Sequence, residues 1–194
     1  MTYKRVEQAV IDLTGRTAIV TGAGKGLGKA YAELLAARGA AVLVNNRLHL
    51  GQTAGSADDV VDTIRAVGGT AVADHHDVEE VGAGRAMVDA ALEAFGRIDL
   101  VVANAGVSAP SAFHKEPLDQ VRQVLEINLL ATLELVHAAL PHLREQRFGR
   151  IAVTTSSAAV FGDAGFATYA ASKAALIGFT AALAQESASR NVTK

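Results

Sequence analysis

Tyr169 and Lys173 are the side chains of this sequence whose types and spacing most directly suggest chemistry. Four residues apart in a stretch whose periodicity predicts a helix over 166–186, they share a helical face and can approach one another. A neighbouring ammonium favours phenolate over phenol, so the tyrosine is expected to exchange a proton near neutrality. Such a pair also arises as surface decoration, so other residues must bear on it. The second candidate is Thr21-Gly22-Ala23-Gly24-Lys25-Gly26-Leu27-Gly28, between a predicted strand and a predicted helix. Glycines let the backbone turn tightly and come close to a ligand, and a helix N-terminus offers free N–H groups and the positive end of a dipole. An anion, a diphosphate above all, suits that combination. The spacing is TG-x-x-x-G-x-G and not G-x-G-x-x-G, because Leu27 and Lys29 fall where the third glycine would be. The doublet His75-His76 has no acidic or third histidine partner at helical spacing, so no metal site is expected.

The elements that must position these residues follow from hydrophobic patterning. Short apolar, often β-branched runs at 17–21, 41–45, 70–74, 99–103 and 150–154 look like strands buried on both faces. Helical periodicity occupies 28–38, 57–67, 81–95, 118–145 and 166–186 between and after them. Strand alternating with helix predicts α/β architecture, a doubly wound Rossmann-type parallel sheet with helices on both faces and about five strands. Pro141 should bend or end the fourth helix, since proline removes a donor and crowds the preceding turn. The loop 51–56, GQTAGS, is the expected mobile segment. With 194 residues, half of them apolar, and no linker-like composition shift, one domain over 1–194 is expected. A net charge of −2 from mixed acids and bases offers no footprint for nucleic acid or anionic membrane. The absence of cysteine excludes disulfides and thiolate metal sites. No apolar run reaches the roughly 18 residues of a membrane span. With the polar start of the sequence, these features make the cytoplasm the expected compartment.

The glycine loop, the turn Asn104-Ala105-Gly106 after the fourth predicted strand, and Ser156 with Tyr169-x-x-x-Lys173 occur in an order that resembles the short-chain dehydrogenase/reductase family over nearly the whole chain. The stretches NNRLHLGQTAGSADDV and FGRIDLVVANAG are similar to 3-hydroxyacyl-CoA dehydrogenase and 3-oxoacyl-ACP reductase-like members. The resemblance implies an NAD(P)-dependent oxidoreductase that moves a hydride between nicotinamide and a carbonyl or secondary alcohol carbon. A 3-oxoacyl or 3-hydroxyacyl thioester is one candidate substrate. It assigns Tyr169 as acid/base, Ser156 as the residue orienting the substrate oxygen, and Lys173 as the group that acidifies Tyr169 and grips the nicotinamide ribose. Ser157 is the neighbouring alternative to Ser156. Asn128 is implied to bend the long helix and hold a water on the proton path. Gly22, Lys25, Gly26, Leu27, Gly28, Asn104, Ala105 and Gly106 would hold the dinucleotide together with Tyr169 and Lys173, and Asp77-Val78 resembles the family's adenine contact.

At the end of the second strand an acidic residue normally accepts hydrogen bonds from the adenosine ribose. Neutral Asn46 stands there, followed by Arg47, with Lys25 in the glycine loop. Two cations without a repelling acid favour NADP(H) slightly over NAD(H). The substrate pocket is expected to draw on Val107, Ser108, Phe161 and Phe166, and a homodimer to pair through 118–145 and 166–186. In the resembled family the chain continues through a sixth strand, a lid and a seventh strand, so the domain reads as incomplete at its C-terminal end. Residues 190–193 look like entry into the sixth strand, and the fifth is expected to form an open apolar edge. Two alternatives stand beside the enzyme: a non-catalytic relative that binds a dinucleotide, and an epimerase or dehydratase of an extended class.

Overall fold

The computed structural model describes residues 11–48 and 55–193. Most of the loop 51–56 and Lys194 therefore lie outside the described residues, with only Gly55 and Ser56 of the loop inside them. Five expected strands are present as β1 (Thr17–Val20), β2 (Ala41–Asn45), β3 (Thr70–Asp74), β4 (Leu100–Ala103) and β5 (Gly149–Val153), and β6 (Val192–Thr193) is a sixth. All pairings are parallel and the order is β3-β2-β1-β4-β5-β6. The sheet is buried on both faces over its middle, which is why its strands read as continuous apolar runs rather than alternating ones.

The period-two geometry of each strand divides its side chains between two cores. Ala18, Val20, Val42 and Val44 face α1 (Gly26–Ala37) and α2 (Ser56–Ala66), where Ala32, Val60 and Ile64 close the layer. Ile19, Leu43, Val101 and Ile151 face the opposite layer of α3 (Ala83–Phe95), α5 (Ala131–Glu145) and α7 (Ala167–Ser187), with α4 (Leu118–Leu125) packed on α7. Gly84 lets α3 and α5 cross closely: a Cβ there would sit 2.7 Å from the Leu135 amide nitrogen.

The expected fourth helix is continuous from Leu118 to Glu145, with a π-helical turn at Glu126–Leu130 joining α4 to α5. Of the two expected effects of Pro141, ending the helix does not occur. The carbonyl that proline leaves without a donor belongs to exposed His137, where water can satisfy it. By length and composition this helix could cross a membrane, yet half of its most apolar window is buried within the fold.

Among the described residues the strands number six, the last of them lying where entry into a sixth strand was expected at 190–193. Asn191 turns the chain in the left-handed region (φ 56°), after which Val192 and Thr193 pair with Gly149 and Arg150. Val192 is buried in the core, and that apolar anchor explains why so short a strand forms. The edge expected along all of β5 is thereby covered at its first two residues. Ile151 to Val153 have no outer strand partner among the described residues, and on the α1 side Ala152 is exposed. At the opposite end of the sheet, buried Asp99 accepts hydrogen bonds from Arg16, Arg97 and the Thr17 amide, tying β1 to β4.

Candidate active site

Strand order reverses at β1 and β4, so their carboxyl ends diverge and open a crevice. The crevice holds a cavity of about 400 Å³. Gly22, Lys25 and Gly26 form one side, Asn46, Arg47, Asp77 and Val78 the far end, and Asn104 to Val107 with Ile127 the other side. α1 begins at Gly26 with no side-chain cap from Lys25 and no acid in its first turn, so its free N–H groups and dipole remain available to an anion. Gly22 has φ of 61°, and a Cβ there would lie 2.9 Å from the Ala105 Cα. At Gly28 a Cβ would run into the Gly22 carbonyl. The loop is braced by Ala23 N donating to the Asn45 carbonyl (2.8 Å) and by Asn104. Asn104 donates to the Thr21 carbonyl (3.1 Å) and accepts from the Thr154 hydroxyl (3.2 Å). Asn104 thus lines the cavity while its side chain supports the loop. Leu27 is 60 % exposed and lies off the cavity, and Gly28 serves by close packing. The open cradle fits a dinucleotide diphosphate.

At the far end, Asn46 donates to the Ser56 hydroxyl (2.9 Å). Arg47 donates to Asp77 (2.8 Å) and stands 3.6 Å from Glu79, and the bond to Asp77 pushes its pKa up. The two histidines turn to separate carboxylates, His75 to Asp58 (3.2 Å) and His76 to Asp74 (2.8 Å).

Lys173 is buried, and its ammonium donates to the Thr154 carbonyl (2.8 Å). It lies 5.9 Å from the centre of the Tyr169 ring and 3.3 Å from where a Cβ on Gly106 would stand. Its pKa is pushed down by burial. Asn128, fully buried, sits in the π-helical turn, so the helix is distorted where the resemblance implied a bend. Its amide accepts from Val107 N (2.8 Å) and donates to the Val107 carbonyl (2.9 Å) and the Ser172 hydroxyl (3.1 Å). Ser172 in turn donates to the Tyr169 carbonyl (2.7 Å). Sequence reasoning missed this serine, although its place inside Tyr169-x-x-x-Lys173 was a usable signal. Ser156 follows β5, and its hydroxyl accepts from Ala158 N (3.2 Å) at the start of the short helix α6 (Ala158–Phe161).

Of the expected substrate-side residues, Val107 lines the cavity and Phe166 packs edge-on against Tyr169 at 6.0 Å. Phe161 is 86 % exposed and Ser108 is also exposed, so the structure does not gather the four into one pocket. Thr168, next to Tyr169, donates to Glu116 (2.7 Å), and Ser111 N donates to the Gly165 carbonyl (2.9 Å). These bonds pin the 107–116 segment to the start of α7.

A parallel doubly wound sheet with a glycine-lined anion cradle at its switch point defines a Rossmann-type dinucleotide-binding protein. The family model for short chain dehydrogenase matches residues 16–193, and the chain belongs to that family. It is 39 % identical to the peroxisomal hydratase-dehydrogenase-epimerase of Neurospora crassa, a match covering 94 % of this chain and 19 % of the relative. It is 39 % identical to a 3-oxoacyl-[acyl-carrier-protein] reductase of Synechocystis, covering 93 % of this chain and 72 % of the relative. A solved structure from Beutenbergia cavernae, assigned as an NAD(P)-dependent gluconate 5-dehydrogenase with NADP bound at low occupancy, superposes with a TM-score of 0.86. It is 36 % identical, over 94 % of this chain and 71 % of that one. The chain spans about a fifth of the length of the Neurospora relative.

Proposed function

We propose that this chain is an NAD(P)-dependent oxidoreductase acting on a carbonyl or secondary alcohol, with a 3-oxoacyl or 3-hydroxyacyl thioester as the substrate class. The carrying observation is the buried Lys173 ammonium, held by the Thr154 carbonyl beside both the Tyr169 ring and the Gly106 wall of the dinucleotide cavity. The nicotinamide, when bound, supplies the hydride acceptor or donor. Tyr169 gives or takes the proton at the substrate oxygen, which Ser156 orients. Lys173 keeps positive charge beside the phenol. Asn128 and Ser172 fix the Tyr169 backbone against the Val107 segment.

Lys25, Gly22 and Gly26 hold the diphosphate, with Gly28 packed beneath them, Asp77 and Val78 hold the adenine, and Asn104, Ala105, Gly106 and Lys173 the nicotinamide half. Neutral Asn46 with Arg47 and Lys25 supports NADP(H) over NAD(H). Exposed Leu118, Leu130 and Ile177 support a homodimer through 118–145 and 166–186, which sedimentation velocity would detect. The charge balance and the lack of cysteine support a cytoplasmic enzyme without nucleic-acid or membrane partners, which cell fractionation checks.

In Tyr169→Phe, turnover should fall by about 10²–10⁴-fold while NADPH still binds. Unchanged turnover rejects the role. The exposed sheet face at Ala152 favours a second reading, dinucleotide binding without catalysis. NADPH binding with no oxidation on any 3-oxoacyl thioester would select it.

A further inference from the structure

We infer that Glu79 is a specificity-determining residue: with Asp77 it restrains Arg47 and so limits how strongly the site prefers NADP(H) to NAD(H). The inference rests on the reading that the crevice holds a nicotinamide dinucleotide. Arg47 leaves the end of β2 and crosses to the loop after β3, where its guanidinium donates to Asp77 Oδ2 at 2.8 Å and stands 3.6 Å from Glu79 Oε2. That loop is itself set. Asp77 Oδ1 accepts from the Glu79 amide (3.2 Å), and the Glu79 carboxylate also accepts from Gln123 (3.3 Å) on α4. The restraint therefore reaches Arg47 from a fixed turn and not from a loose side chain.

The charges at this end of the cavity decide the consequence. Arg47 brings one positive charge to this end, with Lys25 on the glycine side of the cavity, while Asp77 and Glu79 bring two negative ones and Asp74 and Asp58 stand behind on the two histidines. A 2′-phosphate arriving there meets no net positive wall, and Arg47 can turn to it only by giving up or sharing the bond to Asp77. A ribose hydroxyl makes no such demand. Asp77 lines the cavity and Glu79 does not, so Glu79 acts on the phosphate only through Arg47 and through the local field. Its side chain is a quarter exposed, which keeps the effect at the scale of a surface ion pair.

The test measures dissociation constants for NADPH and NADH, by quenching of intrinsic fluorescence or by calorimetry, in wild type, Glu79→Gln, and Glu79→Gln combined with Arg47→Gln. Glutamine keeps a hydrogen-bonding partner for Gln123 while removing the charge. Expected is about a two- to five-fold tightening for NADPH in the single variant, with NADH unchanged, and loss of that gain in the double variant. The gain should also shrink in high salt. NADH serves as the control for folding. If the ratio of the two constants stays where it is, or if both tighten together, the role of Glu79 is overturned while the dinucleotide reading stands. If wild type binds neither nucleotide, the reading and the inference fall together.

Discussion

At the scale of single residues, the site and the opposite end of the sheet solve the same problem differently, because each buries a charge. Lys173 is desolvated and finds a carbonyl, so its ammonium is held at a cost that is relieved only as pH rises past its lowered pKa. Asp99 is desolvated too, which by itself would raise its pKa. The guanidinium of Arg97, the Thr17 amide and Arg16 outweigh burial and hold its carboxyl below the ordinary aspartate value. A carboxylate shifted in that direction stabilises the fold above its ordinary pKa, and the contribution disappears as pH falls through the lowered one. Asp99→Asn should therefore be about 2 kcal/mol less stable than wild type near pH 7, with the gap starting to narrow only once pH falls below the ordinary aspartate value of about 3.9. Urea titrations from neutral pH to below that value check it, and a gap independent of pH would assign the loss to packing alone. Tyr169, Lys173 and the glycine loop were legible in the sequence because backbone spacing alone brings them together. The bonds from Asn128 to Val107 and Ser172, and from Arg47 to Asp77, span 21 to 44 residues of chain and were not.

At the scale of elements, the strands were the easiest to read, since burial on both faces leaves an apolar run with little ambiguity. Helix boundaries shifted by one or two residues, as at α3, where the expected start at 81 becomes Ala83 behind the left-handed Gly82. Whether Pro141 ends its helix depends on whether the freed carbonyl faces solvent, which sequence does not show. The crossing of α3 and α5 makes a firm prediction. Gly84→Val should lower stability by about 2–3 kcal/mol, because its side chain would meet Leu135 backbone rather than a movable side chain. Chemical denaturation measures this, and an unchanged midpoint with an unchanged slope would show that the helices can part without loss.

At the scale of the molecule, the dinucleotide cradle joins the two layers, with Asn104 linking the ends of β1, β4 and β5 through Thr21 and Thr154. A ligand seated there stabilises the folded state as a unit. NADPH at a hundred times its dissociation constant should add about 2.7 kcal/mol. In a domain of this size that raises Tm by about 5–10 °C. A thermal shift assay reads it directly, and no shift at saturating nucleotide would remove the cofactor from the reading. By itself the sequence determined the alternation of strand and helix, the anion-binding turn and the tyrosine–lysine pair, because each depends on contacts within a few residues of chain. Only the tertiary structure decided that β6 pairs with β5, that Asn128 and Ser172 clamp the tyrosine helix, and that Arg47 is engaged by acids on a neighbouring loop. Those outcomes depend on which distant segments the sheet order brings side by side, and no local pattern of residue types encodes that.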